Sequence, residues 1–322
     1  LLEIIHYLLP FPLFSSRDFF YFEKIVIIQL EGKILTGGER MEKTNGNGNS
    51  KIPGVLMSVN AHGWWASKVD REVTQDTQTR WGASSESGRF NKKLIQSGQI
   101  KDISNLDVQF RNKFRQMTLP WMGEVRLLPG RLVMDFLKMA EEYKRERQDL
   151  VDSLLLEYDH LKEEAKRTLG QMFKEEDYPS RDEIRKRFYV DIRVLPPPSE
   201  DQFAKVPYGE AVREMFTDQI KSQINEANQD LVERLRDAAE KIKAIKDMKK
   251  IQDRGIEAIR NVVEGVQKLN IFNDPMVKDA ADKLLAVLDT VTPADLRADL
   301  TKREKIAEDA DNILKKLEGV FA

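Results

Sequence analysis

The residue types that could do chemistry are few and scattered. Trp64 and Trp65 stand side by side after His62-Gly63, and Trp121 follows Pro120. An exposed aromatic pair can stack on bases or fill a partner's pocket, whereas a buried pair anchors a subdomain through its large apolar area. Arg111, Lys113 and Arg115 alternate with Phe110, Phe114 and Met117 between Leu106 and Leu119. Basic residues interleaved with aromatics can describe a nucleic-acid surface. The aromatics recur at helical spacing, however, so the simpler expectation is an apolar stripe with the basic residues on the solvated face. Trp64, Trp65, Arg111, Lys113, Arg115 and Trp121 are the candidate interaction residues.

Enzyme chemistry finds no support in the motifs. The three histidines, His6, His62 and His160, share no metal-ligand spacing with carboxylates. With no cysteine in the chain, disulfides, thiolate catalysis and Cys-based zinc sites are excluded. There is no phosphate-binding P-loop, no GxSxG nucleophile elbow and no strand-linked GxGxxG fingerprint. Carboxylate runs such as Glu163-Glu164 and Glu175-Glu176-Asp177 lie in strongly charged helical stretches, where they read as solvated faces. The expectation is a protein that is not an enzyme, with no catalytic residue, cofactor or metal ligand.

The elements that must carry the candidate residues are mostly helical. Charged residues make up 33% of the 322-residue chain and glycines number only 17, which suits elongated helices better than a β-sandwich. Fifty-two Lys plus Arg against 54 Asp plus Glu give a net charge of −2, which argues against a wholly basic nucleic-acid coat and leaves local patches open. From Gly209 to Phe272 an apolar stripe runs through Ile220, Ile224, Ala227, Leu231, Leu235, Ala238, Ile242, Ile245, Met248, Ile251, Ile256, Ile259, Val262, Val266 and Leu269. No proline interrupts it, so it predicts one helix of roughly 90 Å at the usual rise per residue. A second stripe runs from Arg131 to Phe173. The fold class expected is mainly α: a long antiparallel, coiled-coil-like helical hairpin of these two helices with a small α+β subdomain at its base.

Shorter signals fill in the rest. Gly54 to Asn60 alternates like a strand, Ser67 to Thr79 and Phe90 to Ser97 read as short helices, Trp81 to Gly88 is turn-rich and Val125 to Leu128 is extended. Ser180-Arg181-Asp182-Glu183 has the form of a capping box opening a helix through Arg187. Phe188 to Leu195 is a predicted strand needing a mate among Val55–Val59 or Val125–Leu128, and Pro196-Pro197-Pro198 forces an extended connector. Met276 to Val291 and Pro293 to Leu317 are predicted helices, the second capped by Thr292.

Three segments result: 1–53 as a leader, 54–130 as a small α+β subdomain, and 131–322 as a helical body with a helix, strand and proline insertion at 178–208. The apolar residues 1–30 are interrupted by Glu3, His6, Arg17, Asp18, Glu23 and Lys24, leaving nothing near the ~18 uninterrupted residues a membrane span wants. They also lack the basic start and small-residue cleavage site of a secretory signal. Gly37-Gly38-Glu39-Arg40 is encodable by a purine-rich run like a bacterial ribosome-binding site ahead of Met41. Translation is therefore expected to begin at Met41, with residues 1–40 as upstream sequence read in frame. A packing segment and a membrane-directing segment remain as alternative readings of the same residues. Met41 to Pro53, centred on Asn45-Gly46-Asn47-Gly48-Asn49-Ser50, is a polar, flexible leader by composition.

An ordered set of short pieces resembles an uncharacterised family of tailed-phage and prophage proteins, a domain of unknown function. The pieces are Val59-Asn60 with Gly63-Trp64, Phe114 to Trp121, Leu127-Leu128-Pro129, Tyr178-Pro179, the Phe188 strand with its prolines, Leu269-Asn270-Ile271-Phe272-Asn273-Asp274, and Leu296-Arg297-Ala298-Asp299. The resemblance spans about Val55 to the end and brings no catalytic residues with it. Genes of that family often lie near a MoxR-like or cobalt-chelatase-like AAA+ ATPase and a von Willebrand factor A protein. It therefore implies a helical, phage-encoded adaptor or substrate of such a pair, acting through protein contacts in the cytoplasm of a bacterial host. The alternatives are a nucleic-acid-binding phage protein using Arg111, Lys113 and Arg115, and a membrane-active helical protein if residues 1–30 are translated.

Overall fold

A computed structural model describes residues 52–197, 209–248 and 250–318. The expectations about the leader, the Met41 start and most of the proline connector lie outside the described residues. Strand β1 (Gly54–His62) leads into a tight corner and a two-stranded ribbon, β2 (Ser67–Val69) with β3 (Asn91–Lys93), whose strands flank helix α1 (Arg71–Trp81). Helix α2 (Gly98–Gln116) is followed by the β4 (Leu119–Met122) and β5 (Val125–Pro129) hairpin and then by α3 (Val133–Leu169). Helix α4 (Arg181–Arg187) and strand β6 (Tyr189–Leu195) close this half. After the connector come α5 (Gly209–Ala244), α6 (Asp253–Leu269), α7 (Pro275–Asp289), α8 (Pro293–Ala298) and α9 (Leu300–Glu318). About 70% of the described residues are helical, with a small antiparallel sheet.

The main sheet has the order β4-β5-β1-β6. The Phe188 strand does find its mate in Val55–Val59, and β1 also takes β5 on its other side, so both candidate partners belong to one sheet. Alternation places Met57 and Val59 of β1 on the same face as Val190, Ile192 and Val194 of β6, where they pack on the main apolar core. The capping box at Ser180 is made as its spacing predicts: Ser180 Oγ accepts from the Glu183 amide while the Glu183 carboxylate accepts from the Ser180 amide.

Two expectations fail in the helices, for related reasons. Gly209 to Phe272 is not one helix. It ends at Ala244, turns through a 3₁₀ segment, is extended at Met248 and at Gln252 with ψ 125° and 136°, and restarts at Asp253. The apolar rhythm itself stumbles there, because Ile251 to Ile256 is a step of five and Gly255, a weak helix former, sits within it. Turning back lets Ile242, Ile245, Ile251, Ile256, Ile259, Val263 and Val266 share one core with Leu284, Leu288, Leu296, Ile306 and Ala310.

The two long helices therefore cover their seams with other partners than each other. Helix α3 pairs with α2: Gln99 meets Glu157, Asp107 meets Arg147, Phe110 stacks on Tyr143 and Phe114 packs on Phe136. Partner numbers fall as α2 advances, so the pair is antiparallel. Helix α5 is covered by α6, α7 and α9, with Lys243 on Asp311 and Arg303 on the Met248 carbonyl marking an antiparallel run of α9 along its end. No extended contact between α3 and α5 is present among the described residues.

Smaller differences have local causes. Ser67–Val69 is strand and the helix starts only after Asp70, whose carboxylate accepts from the Val73 amide. Phe90–Ser97 is not a helix, since Asn91–Lys93 is claimed by the ribbon. The last predicted helix is divided at Asp299, whose carboxylate accepts from the Thr301 and Lys302 amides and starts a new helix.

Two arginines tie the elements before α5 to the helices from α5 onward, each capping a helix of the other group. Arg131, just before α3, donates to the Lys268 and Gln267 carbonyls at the end of α6 at 2.6 and 3.2 Å. Arg234 of α5 donates to the Arg115, Gln116 and Thr118 carbonyls at the end of α2. Carbonyls left without intrahelical partners and the negative end of the helix dipole both favour a guanidinium there.

Candidate interaction surface

The corner His62-Gly63-Trp64-Trp65-Ala66 organises an aromatic cluster that reaches solvent. Gly63 is required by close approach, because a Cβ there would lie 2.8 Å from the Phe188 ring and 3.3 Å from Trp65. Ala66 holds a left-handed φ of 49° while its carbonyl accepts from the Leu94 amide at 2.7 Å. This kink sends the adjacent tryptophans apart. Trp64 turns inward, edge-on to Tyr158 at 5.8 Å, in a core cluster with Ile103, Leu154 and Ile184. Trp65 stays 47% exposed, edge-on to Phe188 at 6.4 Å. Beside it the His62 and Tyr189 rings stack at 4.3 Å, with Tyr189 52% exposed.

Beneath this surface lies a buried ion pair. Asp107 and Arg147 are each 3% exposed. Arg147 donates to both Asp107 oxygens at 2.8 and 3.2 Å and to the His62 carbonyl at 2.7 Å, and its guanidinium lies 5.5 Å from the Phe188 ring centre. Tyr143 donates to the same carboxylate at 2.7 Å. Burial, then the neighbouring Asp107, pushes the Tyr143 hydroxyl well above its ordinary pKa, so it stays a neutral donor. One guanidinium thus joins α2, α3, the end of β1 and the start of β6. Its bidentate geometry fixes orientation as well as contact.

A second charged centre fastens the ribbon. Lys92, 3% exposed, contacts Asp70 at 3.0 Å and Asp177 at 2.7 Å and donates to the Met172 carbonyl at 2.8 Å, while Lys68 also reaches Asp177. Burial works against the Lys92 charge, but the hydrogen bonds to Asp177 and Asp70 outweigh it and hold the amine above its ordinary range. For Asp70, the Lys92 contact and then the Val73 amide lower the carboxyl pKa. For Asp177, burial pulls upward and the Lys68 and Lys92 hydrogen bonds overcome it, leaving a lowered value. With every charge matched, this centre is suited to holding three segments together. Among the described residues, no group of three His, Asp or Glu side chains could hold a metal ion. No helix of the described residues is long and apolar enough to cross a membrane.

The six sequence candidates are not brought together. Trp64 and Trp121 are buried, the latter 2% exposed on β4 with its indole N–H unpaired. Arg111, Lys113 and Arg115 are exposed on α2, while Phe110 and Phe114 turn into the core, so the interleaving in sequence does not become an aromatic-basic surface. Only Trp65 joins an exposed aromatic group. Tyr189, Phe188 and His62, and the Asp107–Arg147 pair behind them, were not among the candidates. The pair did leave a trace: Asp107 sits between Ile103 and Phe110, and Arg147 between Tyr143 and Val151, each charge occupying a place in an apolar stripe. No family model, curated protein or solved structure matches the chain.

Proposed function

We propose that this chain is a non-enzymatic helical protein acting through protein contacts, as an adaptor or substrate of a MoxR-like AAA+ ATPase and its von Willebrand factor A companion. The observation that carries the reading is the Trp65, Phe188, Tyr189 and His62 group, in which the half-exposed Trp65 and Tyr189 rings pack on Phe188 and His62, and Phe188 lies against the Arg147 guanidinium. Aromatic side chains fixed before binding lose little freedom on association and dominate binding energy where they fill a partner's pocket. The family resemblance supplies the ATPase, the phage origin and the bacterial cytoplasm.

The test is titration of a purified MoxR-like ATPase, with ATP and with its von Willebrand factor A companion, against the wild-type chain and Trp65→Ala. Binding that weakens on the order of tenfold or more in Trp65→Ala, without a change in melting temperature, is expected. No binding by the wild-type chain overturns the ATPase assignment. Undiminished binding by Trp65→Ala moves the contact away from this surface. A nucleic-acid role would rest on Arg111, Lys113 and Arg115, all exposed on α2. It predicts binding to DNA or RNA that falls steeply with salt and with loss of those charges.

A further inference from the structure

The main sheet has two ends of different character. At one, β4 packs against α5, where Gln219 reaches Met122 and Arg234 reaches the Thr118 carbonyl. At the other, β6 pairs with β1 alone among the described residues. A strand with a free edge carries a row of amide and carbonyl groups ready to pair with another strand, and proteins usually blunt such edges with charge or proline. Here the strand ends at Pro196-Pro197, which cannot donate, so pairing along this edge is limited to Tyr189–Leu195.

The side chains of β6 are self-complementary about Ile192. Val190, Ile192 and Val194 face the core, half-buried. On the opposite face Tyr189 and Leu195 are 52% and 46% exposed, and Asp191 and Arg193 contact each other at 2.8 Å. Read outward from Ile192 in either direction, the strand shows a charge, a valine and a large apolar residue, and the two charges are opposite in sign.

We infer that β6 is a self-association edge: two copies of this chain pair antiparallel through β6, with Ile192 opposite Ile192, joining two four-stranded sheets into one. In this register Asp191 of each copy faces Arg193 of the other, Tyr189 faces Leu195 and Val190 faces Val194. Each cross-strand pair is of a favourable kind. The two-fold registers centred one residue to either side put Asp191 against Asp191 or Arg193 against Arg193, and like charges directly opposite are destabilising. The charges thus select one register, and the interface is the isologous kind that closes as a dimer. This inference is independent of the ATPase reading, because self-association is measured with no other protein present.

Sedimentation velocity of the full chain over a wide concentration range tests it, together with charge exchanges at the two exposed positions. The wild-type chain is expected to show concentration-dependent dimerisation. Asp191→Arg alone or Arg193→Asp alone is expected to weaken it on the order of tenfold or more, since each places two like-charged pairs across the edge. The double exchange restores the dimer, and a mixture of the two single variants forms a heterodimer in preference to either homodimer. Register is read separately: the chain has no cysteine, so Ile192→Cys should cross-link to itself on oxidation and Leu195→Cys should not. A wild-type chain that stays monomeric throughout, or a dimer indifferent to all these changes, overturns the inference. The cysteine variants decide the matter even where a charge exchange impairs folding.

Discussion

The two halves of the molecule use different materials for the same task. Every fully covered charged side chain among the described residues lies before α5: Asp70, Lys92, Asp107, Arg147 and Asp177. Among the described residues, those buried in α5 through α9 are apolar, including Leu231, Leu235, Ile242, Val263, Leu284, Leu288, Leu296 and Ile306. The apolar half needs only shape and volume, and tolerates rearrangement within those limits. The charged half joins short strands, loops and helix ends whose own burial is small, and a matched ion pair there specifies one geometry. Its net stability is modest, yet removing one partner is costly.

The largest effects should come from putting each half's material in the wrong place. Arg147→Ala leaves Asp107 covered and without its counter-charge, and is expected to cost about 3–5 kcal/mol in urea denaturation. If the contrast between the halves is real, Asp107→Leu with Arg147→Met recovers much of that loss. Recovery is incomplete because the Tyr143 hydroxyl and the His62 carbonyl lose their partner. Ile242→Asp, at a position with 0% exposure, introduces a lone charge into the apolar half and is expected to cost ~3 kcal/mol or more, with loss of helical circular dichroism on mild heating. A melt matching the wild type would mean that the α5 seam is not buried there.

Gly63→Ala drives a methyl group into the Phe188 ring and is expected to cost about 1–3 kcal/mol by thermal melting. Acid should separate the halves next. Asp70 and Asp177 have pKa values lowered by folding, so their contribution is complete above the ordinary carboxylate value of 3.8 and is lost as pH falls through the lower folded values. Lys92 works in the other direction: its contribution is present below 10.5 and disappears as pH rises through its raised folded value. All four tryptophans, Trp64, Trp65, Trp81 and Trp121, lie in the charged half. Their fluorescence should therefore respond to acid before far-ultraviolet circular dichroism of the helices does. In the apolar half the Lys243 and Lys315 ammonium groups hold the Asp311 carboxyl down at about 2, but that carboxylate is only partly covered and its lysine partners are largely exposed, so screening keeps its contribution small. Coincident acid transitions would dissolve the contrast into a single cooperative unit. The smallest effect belongs to Ala66→Gly, which relieves the left-handed φ and should stabilise by no more than about 1 kcal/mol.

Legibility in the sequence followed the range of the interaction. Local signals came through: the Ser180 capping box, the Thr292-Pro293 helix start and the alternation of Gly54–Asn60 all appear in the structure. Pairing of distant elements was harder, because an apolar stripe records that a helix is covered and not by what. Both long stripes had the right period for each other, yet α2 and α9 supplied the covers. The step of five between Ile251 and Ile256 was the available sign of a turn, and a count of mostly three- and four-residue steps passes over it. The aromatic surface shows the same limit. Trp64 and Trp65 are adjacent in sequence, but the kink at Ala66 and the ring of Phe188, the distant residue between α4 and β6, decide which of them meets solvent. Lys92 gave no sign of its role, since its partners Asp70 and Asp177 come from separate segments and none lies in a periodic stripe.

The placement of β1 has a kinetic consequence. Its neighbours are β5 and β6, and Ser58 pairs with Arg193, so the central strand emerges from the ribosome long before its second neighbour exists. Until Tyr189–Leu195 has been synthesised, one side of β1 is unpaired and the Arg147 guanidinium lacks the ring of Phe188. Helices α6 through α9, by contrast, are connected by short turns and can assemble on α5 by nearby contacts. Long loops close slowly relative to local ones. The nascent chain therefore carries β1 as an unfinished template while the residues from Gly63 to Leu195 are added, and the rate of β6 docking sets how long that template is open to other strands.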